Sequence, residues 1–190
     1  STSVSYNLEF KDVEMTKDAP VKKIFGGGQD ASTGTINLTM TNCTIYGNVY
    51  ASSGPHYSTT YTHTGSVYAT LKDTAIRKFD TTVVDPMLKP DEVHTVGGSF
   101  WGLYGKVTEN LYLNASGIYV AECGTWFTAK EDCKVGKSID YTFNNIKENL
   151  RFVGAYQFPG YDQTEAYKGR ITVNNTQVAN VFGWGWLDLY

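Results

Sequence analysis

The sequence predicts an all-β solenoid: a single-stranded, right-handed parallel β-helix of about six coils with loop inserts. Three features of the 190 residues point there. Segments of similar pattern recur about every 31 to 40 residues, a spacing typical of stacked arrays. Each segment alternates apolar and polar residues, as a strand with one buried face does. In three segments an Asn or Asp follows the alternating run at a similar offset: Asn42, Asp73 and Asn145. Stacked at a coil corner, such side chains bond to the next coil's backbone, and Asn tolerates left-handed backbone angles. The alternative is a β-sandwich or jelly roll built of hairpins. Hairpin turns favour Asn-Gly or Asp-Gly, and neither dipeptide occurs. The right hand is the preference of parallel crossovers.

The units begin near Val4, Gly34, Gly65, Gly105, Gly136 and Gly169. Their inward positions read Ile36, Leu38, Met40, then Val67, Ala69, Leu71. Later units give Ile139, Tyr141, Phe143 and, from Gly169, Ile171, Val173; the run Asn110–Val120 is a looser copy. A second strand follows the pivot in several units, at Asn48–Ala51, Asn149–Phe152 and Asn180–Gly183, with Lys23–Gly26 near the start. One outward column is expected to hold Thr39, Thr70, Asn114, Thr142 and Asn174. The neighbouring column is expected to hold Asn37, Tyr68, Tyr112, Asp140 and Thr172. Bulky rings in the second column interrupt the flat threonine ladder that ice binding needs. The tail from Phe182 to Tyr190 is rich in aromatics and suits a cap over the last coil.

Composition limits the function. One domain, residues 1–190, accounts for the length. Tyrosine, at 14, outnumbers the 9 Phe and 4 Trp together, which favours pleated, half-buried surfaces. The net charge is -3 and no Lys/Arg run exceeds the pair Lys22-Lys23, so the basic stripe that displaces counterions from nucleic acid is missing. No stretch approaches the roughly 20 apolar residues of a membrane-spanning helix. Cys43, Cys123 and Cys133 read as buried thiols, although Cys123 and Cys133 could close a short loop.

The stretch "IFGGG…GTINLTMTNCTIYGNVYAS" resembles the Gly-rich "VYGGG" repeat units of large, adhesin-like bacterial surface proteins of gut anaerobes, which are β-helical. The match is clearest over Lys23–Ser52. The resemblance implies an exported domain, at the cell surface or outside the cell, belonging to a longer surface protein. It brings no catalytic residues.

Three inserts exceed what a coil needs: Ala51–Thr64, Val83–Gly98 and Ala155–Gly169. Equivalent corners would place them on one face. The first carries Tyr57, Tyr61 and His63; the third carries Tyr156, Tyr161, Asp162 and Tyr167. Tyrosine offers a large amphipathic contact area with little rotamer entropy to lose, so these seven residues are the candidate binding set. The alternative is that the rings fold back onto the coil. The expected function is a non-enzymatic adhesin-like module recognising a host or neighbouring-cell protein, immunoglobulin included, or a glycan.

Motif chemistry adds little. His56, His63 and His94 lack zinc-site spacing and read as solvated loop residues. Asp73, Asp80 and Asp85, or Asp162 and Glu165, are the carboxylates that a polysaccharide lyase or hydrolase on this fold would use. That enzyme, and a structural spacer, are the rival expectations. "FGGGQD" occurs once, whereas calcium-binding turns recur along an array. Gly136-Lys137-Ser138 lacks the leading glycine of a phosphate loop. No cofactor or metal is expected. The sequons at Asn37, Asn42, Asn114 and Asn174 read as strand and corner residues.

Overall fold

A computed structural model describes residues 4–19, 21, 23–28, 31–52, 62–78, 98–102, 106–120, 122–124, 134–146, 153–154, 168–177 and 181–182. Every regular element among them is a β-strand. The chain opens with β1 (Ser5–Lys11), β2 (Lys23–Phe25) and β3 (Ala31–Thr33). The next turn holds β4 (Thr35–Thr41), β5 (Thr44–Tyr46), β6 (Asn48–Tyr50) and β7 (Thr62–Thr64). Another follows with β8 (Val67–Lys72), β9 (Ala75–Arg77), β10 (Ser99–Trp101) and β11 (Lys106–Val107). Then come β12 (Leu111–Ser116), β13 (Tyr119–Val120), β14 (Glu122–Gly124) and β15 (Lys134–Val135). The chain continues through β16 (Ser138–Asn144), β17 (Val153–Gly154), β18 (Lys168–Asn174) and β19 (Val181–Phe182).

Equivalent strands stack in parallel. The first face is a six-stranded sheet in the order β1-β4-β8-β12-β16-β18. The second runs β5-β9-β13, the third β2-β6-β10-β14 and the fourth β3-β7-β11-β15. β17 pairs with β19 and lies against β14. All strand pairs are parallel, from β1 on β4 to β16 on β18. This rules out the hairpin-built sandwich. The coil count also differs from expectation: among the described residues about three turns carry strands on all four faces, not six. Among the described residues the first face joins six strands in a single hydrogen-bonded sheet, and it is built of the longest strands, with an apolar alternation along each.

That alternation builds the core. Ile36, Leu38 and Met40 of β4 are fully buried, as are Val67 and Leu71 of β8. Leu111, Ala115, Ile139, Tyr141 and Phe143 continue the columns with at most 1% exposure. Large and small residues compensate along the axis: Ala115 lies between Leu71 and Phe143, and Ala69 between Leu38 and Leu113. Ile45 and Ile76 close the core from the second face, Val49 and Phe100 from the third, and Val107 and Val135 from the fourth. Each such side chain contributes about 1.5–3 kcal/mol.

The polar pivots are corners with left-handed backbone. Asp12, Asn42, Asp73, Asn145 and Asn175 have φ between 44° and 55°, and Gly117 has 58°. The N–H groups of Asp12, Asn42, Asp73, Gly117 and Asn145 bond to the neighbouring turn, as Asn42 N does to Lys72 O at 3.0 Å. Their amides bond along the axis: Asn42 Nδ2 to Asp12 Oδ1 at 2.9 Å and Asn175 Nδ2 to Asn145 Oδ1 at 3.0 Å. Gly65 enters β8 at φ +137°, where a Cβ would stand 1.9 Å from Gly34 O. Only glycine permits that approach.

Two registers differ from expectation. Gly169 does not precede its strand but lies within it, paired with Ile139, so Lys168 takes the place of Ser138. Thr142 therefore stands beside Thr172, Asp140 beside Arg170, and Asn144 beside Asn174. The expected columns were shifted by two residues there, because the glycine was taken as a corner. Gly105 likewise precedes β11, one face earlier than the strand it was expected to introduce.

Candidate functional site

The coil itself shows which segments are surplus. From the third face to the fourth, β2 reaches β3 through five residues and β10 reaches β11 through four. At the same corner β6 reaches β7 through eleven residues and β14 reaches β15 through nine. From the second face to the third, one residue suffices between β5 and β6, whereas β9 and β10 are separated by 21. The coil resumes in register after that longest insertion, with Gly98 N bonded to Gly47 O at 2.8 Å. The three expected inserts thus do not share one corner: the second leaves one corner earlier than the first. The surplus between β14 and β15 was missed, because no tyrosine or proline marks residues 125–133.

Tyr57, Tyr61, Tyr156, Tyr161, Asp162 and Tyr167 lie outside the described residues, as do His56, His94, Asp80, Asp85, Glu165 and Cys133. His63 is described, and it corrects the expectation of a solvated loop histidine. It sits on β7 with 0% exposure. Its Nε2 faces two carbonyl oxygens, Gly34 O at 2.8 Å and Ser66 O at 3.2 Å, so Nε2 carries the proton. Nδ1 then accepts from Ser32 Oγ at 2.8 Å. Burial pushes the imidazole below its usual pKa of 6.5, and the two carbonyl bonds partly oppose that shift. With every polar atom engaged internally, His63 ties its own turn to the preceding one and offers no surface to a partner. The first insert accordingly ends before Thr62. The period-two rule carried this signal: His63 occupies the inward position between Thr62 and Thr64.

Asp73 belongs to the left-handed corner and is exposed. An open groove of about 380 Å³ runs along that corner, lined by Asn42, Cys43, Asp73, Thr74, Gly117 and Asn145 among others. Cys43 is a free, buried thiol whose Sγ lies 3.3 Å from the carbonyls of Phe10 and Thr41. Among the described residues no three His, Cys, Asp or Glu side chains gather as metal ligands.

The outward side of the first face carries a continuous polar array. One column reads Asn7, Asn37, Tyr68, Tyr112, Asp140, Arg170; the next reads Glu9, Thr39, Thr70, Asn114, Thr142, Thr172. Tyr68 and Tyr112 stack with centroids 5.0 Å apart, and Tyr112 Oη lies 3.3 Å from Ser138 Oγ. Asn37 Nδ2 donates to Asn7 Oδ1 at 3.0 Å, and Arg170 is bound to Asp140 through Nε at 3.0 Å. Tyr68 is 39% exposed and, with Val4 and Tyr6, is one of the exposed large apolar side chains among the described residues.

The chain matches no protein-family model, no curated protein and no solved structure.

Proposed function

We propose that this chain is a non-enzymatic recognition module of an exported, adhesin-like surface protein. Its tyrosine-bearing inserts take a host or neighbouring-cell protein, immunoglobulin among the candidates. The solenoid serves as the rigid support, wound right-handed as parallel crossovers prefer. The six rungs of the first face give it length.

One observation carries the proposal. The corner between the third and fourth faces closes with four or five residues in two turns, yet takes eleven between β6 and β7. The extra residues are not needed to wind the coil, and they contain Tyr57 and Tyr61. Residues surplus to the fold and rich in amphipathic rings suit recognition. The test is capture of serum proteins, purified immunoglobulin included, by the immobilised chain. Capture is expected for the parent and lost when Tyr57, Tyr61, Tyr156 and Tyr161 are all changed to Ala. Equal capture by both would remove the inserts from the mechanism.

A further inference from the structure

We propose a second binding surface, independent of the inserts: the outward side of the six-stranded sheet is a platform for an uncharged, extended polysaccharide. Tyr68 and Tyr112 stack on each other and form a ridge two rings across. Each ring has one face covered by the other. The opposite faces turn towards shorter side chains, Asn37 beside Tyr68 and Asp140 beside Tyr112. An aromatic face above a floor of small polar groups suits a pyranose, whose C–H face packs on the ring while its hydroxyls find hydrogen bonds. The ridge is held in place, because Tyr112 Oη reaches Ser138 Oγ at 3.3 Å.

The adjoining column supplies those hydrogen bonds at regular intervals. Thr39, Thr70, Asn114, Thr142 and Thr172 occupy successive rungs, spaced about 4.8 Å apart as neighbouring strands are. A row that repeats at every rung fits a ligand that repeats along its length. Charge selects the class of polymer. The outward positions of the six strands carry charges of both signs, Glu9 and Lys11 on β1, Lys72 on β8, Asp140 on β16, and Lys168 and Arg170 on β18, with Arg170 bonded to Asp140 and none on β4 or β12. A nucleic acid or acidic polysaccharide would need a basic stripe. A protein partner would need a larger apolar centre than two rings provide.

The experiment is electrophoresis of the folded chain through native gels containing a neutral β-glucan, a neutral galactomannan, polygalacturonate or dextran sulfate. Retardation is expected in at least one neutral gel. Tyr68→Ala with Tyr112→Ala should weaken it about tenfold or more, as loss of a central aromatic contact does. A second pair, Thr70→Glu with Asn114→Glu, alters two exposed outward side chains and should weaken it as well. The four-tyrosine insert variant should be retarded like the parent. No retardation in either neutral gel, retardation confined to the acidic polymers, or unchanged retardation of either face variant overturns the platform. Because capture of protein is read on the insert variant and retardation on the face variants, each surface fails separately.

Discussion

Ser32 Oγ lies 2.8 Å from Nδ1 of His63, 31 residues further along the chain and one turn along the coil. With Gly34 O and Ser66 O on Nε2, the neutral imidazole spans neighbouring rungs of the fourth face. Its folded-state pKa lies below 6.5 because burial disfavours the cation. As pH falls through 6.5, the unfolded chain takes up a proton that the folded chain resists. The contribution is therefore complete above pH 6.5 and is lost below it, down to the folded pKa. Urea midpoints of the parent should fall between pH 7.5 and 5.5. The fall should be smaller for His63→Gln, which separates this group from the carboxylates. Equal pH dependence of the two proteins would contradict the assignment.

The left-handed corner gives a second prediction. Asn42 has φ 52° and donates to Asp12 across the turn. Asn42→Ala should cost about 1–2 kcal/mol, because a Cβ is disfavoured there without the local hydrogen bonding that Asn supplies. Asn42→Gly should cost less, since only the side-chain bond is lost. Chemical denaturation of the two variants should rank them in that order.

Gly65 is more demanding. Its φ of +137° and the 1.9 Å approach of a Cβ to Gly34 O both exclude a side chain. Gly65→Ala should lose at least about 2 kcal/mol, more than Asn42→Ala, through backbone strain and displacement of one turn from the next. Thermal unfolding compared across the two variants checks the order.

Shortening the first insert separates fold from function. Replacing residues 53–61 by two residues keeps Ala51 and Ser52 and leaves the four-residue link that joins β10 to β11. Stability should change by about 1 kcal/mol or less, because closure entropy depends weakly on length. Capture of serum protein should be lost. A variant that fails to fold would mean the insert is part of the coil's support, against the surplus inferred for it.

The all-β class, the parallel stacking and the pivots at Asn42, Asp73 and Asn145 were legible in the sequence. Each depends on short-range rules: alternation sets the buried face, and corner residues report left-handed backbone directly. Other features were settled by neighbours distant in the chain. The anchoring role of His63 depends on Ser32 and Gly34 from the previous turn and Ser66 of the next corner. The place of Gly169 inside β18 depends on pairing with β16, which a similar-looking glycine before β4 had suggested otherwise. The lengths of the corners, and hence which segments are surplus, could be judged only against equivalent corners stacked beside them. Local pattern therefore determined what each rung is made of, and contact between rungs decided register, face and which side chains remain free to bind.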